Sequence, residues 1–359
     1  MNAIVSRSTL PEPPLPSPST PDLSRYRITR GDGLEGLTLE RTGRRPLAAD
    51  EIRVRIRAVT LNHRDLMVAR GMAGAVGRPI VPASDAAGDV IEVGPAVRGF
   101  GIGDPVISTF FPDWLDGPMN DAVTARALGG SMAGVLAQEV VLPASAWVRA
   151  PAGLDPVEAA TLTCAGVTAW HGLFGLAPIP AGGTVALLGT GGVSIWALQL
   201  AKAAGYRVVV SSSHDGKLEQ ARALGADETV NYRTTPAWGE AIRALSGGHG
   251  VDRVLDIGGA DTVEQSIIAL RTGGTIAIIG RLTGAHPAQF DPAALFGGGK
   301  SLAGLMVGSR ETTEALARFV ERHAIRPVID RVFPYAKVVE AYQYLARGQH
   351  FGKVVVALD

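Results

Sequence analysis

The sequence predicts an α/β protein that combines a doubly wound parallel sheet with a second, β-rich domain. A chain of 359 residues is too long for one typical hydrophobic core, so two domains are expected. Up to about residue 150, short strand patterns are separated by Gly and Pro, whereas from about residue 184 short apolar runs alternate with helical patterns. Continuous apolar runs of this kind are typical of parallel strands that are covered on both faces.

Composition and charge suit a compact soluble protein, which we expect to be cytoplasmic. The chain is 46% hydrophobic and 19% charged, and its 34 basic residues balance its 34 acidic ones. This balance indicates no nucleic-acid partner, and no apolar stretch is long and clean enough to span a bilayer, so we expect no membrane partner. The single cysteine, Cys164, excludes an intrachain disulfide and a four-cysteine zinc lobe, and is compatible with a reducing cytosol.

The N-terminal part of the chain is predicted to be a tail followed by strands. Residues 1–24 are rich in Pro and Ser, which predicts a disordered or extended tail. In EIRVRIRA, residues 51–58, apolar residues alternate with Arg, which predicts a strand with one buried face. The short strand-and-turn units that follow indicate a barrel or a curled sheet.

A change of pattern marks the second domain. Asp155 followed by Pro156 predicts the start of a helix, with Asp155 as its N-cap. Strands and helices then alternate, with strands predicted in TVALLG, RVVVSSS, DETVNY, VDRVLDIGG and GTIAIIG. After about residue 300 the pattern becomes mixed again.

The stretch LLGTGGVSIWALQLAKAAG, residues 187–205, contains a glycine loop between a strand and a helix predicted over 191–204. A dinucleotide site needs a tight turn at a first glycine, close backbone approach to a pyrophosphate at a second, and a small residue at a third place. Gly189 and Gly191 fill the first two places and Ser194 the third. A glycine-rich turn without a ligand is the alternative, but the flanking strand and helix favour nucleotide binding. The predicted loop contacts are Gly189, Thr190, Gly191, Gly192 and Val193.

The end of the next strand indicates which nucleotide is bound. An NAD site usually places an acidic residue on the ribose about 20 residues after the loop. This strand instead ends in three serines, of which Ser212 and Ser213 can hydrogen-bond a 2′-phosphate, and Lys217 would add a cation. NADPH is therefore favoured. Asp215 keeps NADH possible, and an ordinary polar turn with a surface lysine is the remaining alternative.

The ordered set of motifs resembles the medium-chain dehydrogenase/reductase superfamily, and more narrowly its zinc-independent, quinone-oxidoreductase-like alcohol dehydrogenases. Residues 189–232 are similar to the cofactor domain of that family. The segments VTLNHRDLMVARG, PASDAAGDVIEVG, ATLTCAGVTAWHGL, VDRVLDIGGADTVEQSI and HFGKVVV occur in the family's order. The resemblance implies a GroES-like catalytic domain over 25–153 and 306–359, a Rossmann cofactor domain over 154–305 and an active site in the cleft. It also implies a homodimer or homotetramer.

The resemblance identifies where zinc-dependent relatives bind their catalytic metal. Their Cys, His and Cys ligands correspond here to Asn62, Ser84 and Cys164. Asn and Ser are poor zinc ligands, so no metal site is expected. The alternative set His63, Asp85 and Cys164 is one residue out of register at its first two positions, which in a strand reverses the side chain.

The resemblance places Asn62 and Asp65 in the segment that faces the nicotinamide, and His63 lies between them. Without zinc, protein groups must stabilise the charge that develops on the substrate oxygen. His63 can donate a proton or be a surface or packing residue, and Asp65 can equally hold its own loop by hydrogen bonds. Quinone oxidoreductases often have a tyrosine two positions after that aspartate, and Met67 stands there in this chain.

Further cofactor contacts carry over from the family by position. They are Thr168 on the nicotinamide-phosphate side, Tyr232 beside Lys217 at the adenosine end, and Gly258, Gly259 and Gly280 at strand ends near the nicotinamide ribose. Each glycine can instead serve a simple turn, but the carboxyl ends of parallel strands favour a ligand.

These observations predict an NADPH-dependent, metal-free oxidoreductase that transfers hydride to a carbonyl, enone or quinone. One alternative is a protein that binds NADPH without turnover, since eye-lens crystallins of this broad family show that the fold can serve structurally. Another is a zinc alcohol dehydrogenase with a displaced site. In the irregular insert before residue 135, Phe110, Phe111 and Trp114 can line an apolar substrate pocket or anchor a covering loop.

Overall fold

The structure is a computed structural model that describes residues 23–72, 76–284 and 286–358. Most of the predicted tail, residues 1–22, lies outside these ranges. The end of that prediction is wrong, because Leu23 and Ser24 begin a strand in which Leu23 pairs with Thr42. Ser24 donates both its backbone N–H and its hydroxyl to the side-chain oxygen of Gln138, which holds this segment in place.

Strands and helices alternate through most of the described residues. The strands are β1 (Leu23–Thr29), β2 (Leu37–Thr42), β3 (Glu51–Leu61), β4 (Pro79–Ile80), β5 (Asp85–Val93), β6 (Pro105–Ser108), β7 (Glu139–Pro143), β8 (Trp147–Arg149), β9 (Thr184–Leu188), β10 (Arg207–Ser212), β11 (Glu228–Asn231), β12 (Val251–Asp256), β13 (Leu270–Ile278), β14 (Ser301–Gly304), β15 (Ile329–Pro334) and β16 (Lys353–Ala357). The helices are α1 (His63–Ala69), α2 (Asp121–Thr124), α3 (Pro156–Ala159), α4 (Val167–Phe174), α5 (Gly192–Ala203), α6 (Asp215–Ala223), α7 (Trp238–Leu245), α8 (Val263–Ala269), α9 (Ala293–Phe296), α10 (Arg310–Arg322) and α11 (Val338–Ala346). None of these helices is both long and apolar enough to cross a membrane.

The β-rich, GroES-like domain is built from both ends of the chain. Its larger sheet has the order β15-β16-β3-β5-β6-β8, and β7 also pairs with β3. Strand β16 runs antiparallel to β3, with Val354 opposite Leu61 and Ala357 opposite Ala58. A smaller sheet has the order β2-β1-β4. Because β15 and β16 come from the end of the chain, C-terminal residues lie beside the segment that follows β3.

The strand predicted over 51–58 is confirmed as part of β3, and it continues to Leu61. Ile52, Val54 and Ile56 are buried, as the alternation predicts. The opposite face is less exposed than predicted, because Arg53 is buried. Its guanidinium forms an ion pair with Glu92 of β5 at 2.7 Å. On the opposite edge of β3, β7 places Glu139 3.8 Å from the same guanidinium.

The Rossmann-like domain has a six-stranded parallel sheet in the order β11-β10-β9-β12-β13-β14. The order reverses between β9 and β12, so this is the topological switch point, where open α/β sheets bind ligands at the carboxyl ends of their strands. Helix α5 follows β9 directly and therefore begins at that point. The predicted helix start before Pro156 is also confirmed, since the Asp155 carboxylate accepts the backbone N–H of Glu158 at 2.9 Å.

Candidate active site

The glycine loop makes a tight turn between β9 and α5. Gly189 has a positive φ of 75°, and its N–H donates to the carbonyl of Ser211 at 2.8 Å. Gly191 is the extended N-cap residue of α5. The third place of the motif is filled by Ser194, whose hydroxyl donates to the carbonyl of Leu188 at 2.6 Å. A serine fits there because its hydroxyl bonds to the end of the preceding strand.

The first turn of α5 has the space and the donors that a pyrophosphate requires. A Cβ on Gly191 would have only one described atom outside the adjacent residues within 4 Å, Nε2 of His350 at 3.9 Å. At Gly192 the chain itself fills the space, since a Cβ there would lie 2.7 Å from Cδ of Lys353 and 3.2 Å from Cβ of Ala165, so the predicted cofactor contact of Gly192 stays a prediction. The residues present fit a dinucleotide at Gly191, because free N–H groups at a helix N-terminus attract phosphate and Gly191 permits close approach.

The C-terminal segment of the chain closes on this loop. The N–H of Gly352 donates to the carbonyl of Thr190 at 3.0 Å, and Gly352 forms an isolated β-bridge with Gly191. Thr190 is buried and Val193 is half-buried against the core around α5. Thr168 is buried in the first turn of α4. The glycine loop is thus the place where the two domains meet.

The residues predicted to bind a 2′-phosphate lie at the ends of β10 and β11. Ser212 is buried and its carbonyl accepts the N–H of Tyr232 at 3.2 Å, while the Tyr232 side chain is 41% exposed. Ser213 is half-buried directly after β10. The Asp215 carboxylate accepts the side-chain N–H of Asn231 at 2.6 Å.

The amine of Lys217 has an additional structural contact. It donates to the carbonyls of Gly348 and His350, both at 3.1 Å, and burial lowers the pKa of Lys217. Lys217 therefore joins the cofactor domain to the C-terminal segment. Its predicted role toward a 2′-phosphate stays a prediction.

The turn after β12 is organised by a buried aspartate. Oδ1 of Asp256 accepts the backbone N–H groups of Gly258 at 2.9 Å and Gly259 at 3.0 Å. The same oxygen accepts the Thr262 hydroxyl at 2.6 Å, and Oδ2 accepts the Ser266 hydroxyl at 2.7 Å. This network fixes the end of the strand at the switch point.

Steric crowding explains why glycine is needed in and beside this turn. Gly259 has a φ of 93°, a Cβ on Gly258 would lie 2.5 Å from the Thr262 side chain, and a Cβ on Gly280 would lie 2.6 Å from the carbonyl of Ile257. Tight turns and close packing are therefore sufficient to explain these three glycines without a ligand. Their predicted contact with the nicotinamide ribose stays a prediction.

The predicted catalytic segment forms the start of α1. Asp65 is buried, and its Oδ2 accepts the backbone N–H of Asn62 at 2.7 Å. Asp65 therefore holds its own loop by a hydrogen bond, which is the structural role predicted as the alternative to catalysis. Burial raises the pKa of Asp65 to about 6. His63 is exposed at the N-terminus of α1, and partial burial and Arg70 lower the pKa of its imidazole.

A buried lysine contacts the side chain of Asn62. Nζ of Lys353 donates to Oδ1 of Asn62 at 2.6 Å and to the carbonyl of Leu61 at 2.9 Å, and it lies 3.8 Å from Oδ2 of Asp85. The Lys353 side chain is 3% exposed and that of Asp85 0%. Because an ammonium only donates, it faces Oδ1, and Nδ2 of Asn62 points away. That Nδ2 is buried and has no partner among the described residues.

The same carboxylate connects the three positions that, by the family resemblance, correspond to the zinc ligands of zinc-dependent relatives. Asp85 accepts the hydroxyls of Ser84 and Thr60 and, at 3.1 Å, the backbone N–H of Cys164. Burial, followed by the charge of Asp85, raises the pKa of the Cys164 thiol to about 12. Within the described ranges, no group of three or more His, Cys, Asp or Glu side chains is placed to hold a metal ion.

Sequence reasoning missed Lys353 and His350 as site residues, although both stand in the HFGKVVV segment. A signal was available for Lys353, which directly precedes a continuous apolar run. A charged residue at such a position is buried only when it has a partner. That partner is Asp85, which the sequence patterns suggest only as a metal ligand.

The aromatic residues of the insert anchor it to the core. Phe111 is 1% exposed and Trp114 4%, and the indole N–H of Trp114 donates to the carbonyl of Gly117 at 3.0 Å. Phe110 is buried beneath the guanidinium of Arg64, 4.4 Å from the ring centroid. This arrangement favours the covering-loop alternative over a pocket lined by these three rings.

The fold and the site together define a class of protein. A Rossmann-like sheet with a glycine loop at its switch point, covered by side chains of a GroES-like domain, is the arrangement of a two-domain, nicotinamide-dependent oxidoreductase. Comparison with known proteins identifies the family. Residues 48–152 match the alcohol dehydrogenase GroES-like domain family, and residues 192–322 match the zinc-binding dehydrogenase family. The chain belongs to the medium-chain dehydrogenase/reductase superfamily.

Individual relatives agree with this assignment over most of the chain. A zinc-type alcohol dehydrogenase-like protein of Schizosaccharomyces pombe is 42% identical over 315 residues, which are 86% of this chain and 91% of that protein. The crystal structure of a Sinorhizobium meliloti 1021 protein assigned as an alcohol dehydrogenase has a TM-score of 0.87 at 40% identity, covering 94% of this chain and 99% of that one. The crystal structure of an NAD-dependent alcohol dehydrogenase has a TM-score of 0.85 at 33% identity, covering 94% and 100%. The predicted fold class and the predicted NAD(P)H-dependent oxidoreductase activity are therefore confirmed.

Proposed function

We propose that this enzyme is an NADPH-dependent, metal-independent reductase of a carbonyl, enone or quinone substrate in the cytoplasm. The observation that carries the proposal is the buried contact between Lys353 and Asn62. An ammonium lies where the three segments that supply zinc ligands in relatives come together, and it forms an ion pair with Asp85.

The donor set at these positions does not fit a zinc ion. Oδ1 of Asn62 already accepts from an ammonium, and the Ser84 hydroxyl donates to Asp85. Cys164 is the one residue of the three whose type is a common zinc ligand, and a single such side chain does not make a closed site. A second cation beside Lys353 would also be repelled.

The residues of this chain can carry out the non-hydride part of the reaction. The bound nicotinamide supplies the hydride. Nδ2 of Asn62, which has no partner in the part of the chain that the structure describes, donates a hydrogen bond to the substrate oxygen. The Lys353 ammonium on Oδ1 polarises the amide and strengthens that donor in a site of low dielectric. His63, exposed beside this segment, relays a proton from solvent to the substrate oxygen.

The preference for NADPH is supported by Ser212, Ser213 and Lys217 and by the engagement of Asp215 with Asn231. One structural relative is described as NAD-dependent, so the preference needs a direct test. A fluorescence titration of the protein with NADPH and NADH should give a lower Kd for NADPH. A lower Kd for NADH would contradict the interpretation of the end of β10 as a binding site for the 2′-phosphate.

Metal independence and substrate class are tested on the same preparation. The purified protein should hold zinc well below one equivalent, and dialysis against a chelator should leave NADPH oxidation with enones, ketones, aldehydes and quinones unchanged. Activity that is lost on chelation and restored by zinc would refute the metal-free mechanism. NADPH binding without oxidation by any acceptor would favour the non-catalytic alternative.

We also propose a homodimer or homotetramer. Strand β14 is an edge strand of the parallel sheet and belongs to the segment SLAGLMVGS, in which the family resemblance implies strand pairing across a dimer. An exposed edge strand is a template for pairing with another chain. Light scattering of the purified protein would give the number of subunits.

A further inference from the structure

His350 lies over the glycine loop and has no role in the proposed reaction. We propose that His350 is a cofactor-phosphate ligand that takes up a proton when the dinucleotide binds. Its Nε2 lies 3.9 Å from the point where a Cβ on Gly191 would stand, so the imidazole faces the backbone that a pyrophosphate approaches. The proposal rests on binding of a nicotinamide cofactor at this loop and does not depend on the substrate or on metal independence.

The backbone around His350 is held from several sides. Lys217 donates to its carbonyl, and Asp330 accepts the N–H of Phe351 at 3.0 Å. Gly352 donates to the carbonyl of Thr190 in the glycine loop. Both domains therefore fix the position of this histidine, which is what a preorganised ligand contact needs.

The imidazole of His350 has an unused hydrogen-bonding atom. Nδ1 is buried and has no partner among the described residues. Buried polar atoms almost always have partners, so the orphaned Nδ1 indicates that a ligand or a water completes the ring whose Nε2 faces the glycine loop. Gly191 has no side chain between this ring and the loop backbone, which allows a phosphate to come close.

The charges that face His350 explain why it is neutral before the cofactor binds. Burial lowers its pKa to about 4, and Lys217 from α6, Lys353 from β16 and His63 from α1 act in the same direction. Asp330 from β15 opposes them. A pyrophosphate adds negative charge at this point, and an anion in contact with the ring favours the imidazolium.

The sign of the pH dependence follows from proton linkage. A group whose pKa rises on binding makes the complex more stable as the pH falls, until the pH passes below the pKa of the free protein. The affinity for the cofactor should therefore increase from pH 8 down toward pH 5. The increase should be absent when position 350 cannot be protonated.

The test is calorimetric titration with NADPH near pH 6 in two buffers that differ in ionisation enthalpy. Wild type and H350Q are compared, with H249Q as the matched control, because His249 is exposed in the loop before β12, at the opposite end of the strands. The 2′-phosphate of NADPH also titrates near pH 6, but its contribution is common to all three proteins and cancels in the differences.

We expect wild type and H249Q to take up the same fraction of a proton, and H350Q to take up less. We also expect H350Q to bind NADPH about ten-fold more weakly, the effect of one charge-assisted hydrogen bond. Unchanged proton uptake and Kd in H350Q would overturn the proposal. NMR titration of the His350 ring in the wild-type complex requires no variant, and a pKa that stays near its free value would overturn it as well. Failure of wild type to bind NADPH or NADH would instead refute the cofactor assignment.

Discussion

The ammonium of Lys353 donates a hydrogen bond of 2.6 Å to Oδ1 of Asn62, although the two residues are 291 positions apart. The antiparallel pairing of β16 with β3, in which Val354 lies opposite Leu61, brings them together. The end of the chain thus supplies a charge to the segment that, by the family resemblance, is predicted to face the nicotinamide. This contact fixes the orientation of an amide whose other end, Nδ2, is buried and has no partner among the described residues.

Removal of the Lys353 charge should affect stability and activity separately. K353M leaves the Asp85 carboxylate buried without its cation, and breaking a buried pair in this way costs about 3–5 kcal/mol of unfolding free energy. The double variant D85N/K353M should recover most of that stability, because it removes both charges. Its kcat should nevertheless remain at least about ten-fold below wild type, because the amide is no longer polarised. Urea unfolding and steady-state kinetics measure the two effects.

A purely structural role for Lys353 gives a different result. In that case the double variant would recover kcat together with stability. K353R keeps the charge and should retain more activity than K353M if the charge itself is what matters. Equal kcat in these two single variants would argue against polarisation.

Substitution of Asn62 by Asp separates hydrogen-bond donation from helix capping. Asp is as good an N-cap as Asn and still accepts from Lys353, but it has no N–H to donate to a substrate oxygen. We expect N62D to keep its urea midpoint and its NADPH affinity, and to lose about 10²-fold in kcat, the effect of removing one such donor. N120D, at the N-cap of α2, is the matched control and should retain kcat. Wild-type kcat in N62D would exclude Asn62 as the donor.

Much of the fold could be predicted because it depends on local patterns. The alternation in β3, the glycine loop before α5 and the Asp155 cap are each encoded within a few neighbouring residues. The burial of Arg53 could not be predicted, because it depends on Glu92 and on β7, which are distant in sequence. The domain limits at 25–153, 154–305 and 306–359 stay a prediction.

The candidate site was predicted less completely than the fold, for the same reason. Asn62 and the glycine loop stand in recognisable motifs, whereas Lys353 and His350 reach them only through the pairing of β16 with β3 and the bridge from Gly352 to the loop. Single-sequence patterns carry no information on such contacts. Even when the sequence predicts that a charged residue is buried, only the structure identifies the residue that pairs with it.

The pKa of Asp65 predicts a pH dependence of stability. Burial raises it from 3.8 to about 6, so folding favours the protonated carboxyl. The contribution of this group is therefore fully present below pH 3.8 and is lost as the pH rises through about 6. The loss at pH 7 should be about 3 kcal/mol, since each pKa unit corresponds to about 1.4 kcal/mol.

The variant D65N isolates the pH-dependent contribution of Asp65 to the free energy of unfolding, because an amide does not titrate and its oxygen can still accept the N–H of Asn62. Urea unfolding of both proteins at several pH values from 4 to 7 should show that wild type loses stability relative to D65N as the pH rises. A constant difference between the two proteins across this range would mean that Asp65 ionises as an ordinary carboxyl.

Lys217 tests whether the enzyme distinguishes NADPH from NADH at the end of β10. If its amine meets a 2′-phosphate, K217A should weaken NADPH binding about ten-fold or more and NADH binding much less, because only NADPH has that charge. The amine also holds the carbonyls of Gly348 and His350, so a purely structural role would weaken both cofactors equally. K202A, which removes an ion pair with Asp227, is the matched control and should leave both Kd values unchanged. Fluorescence titration of the three proteins with each cofactor decides between the two roles, and equal weakening in K217A would refute the phosphate contact.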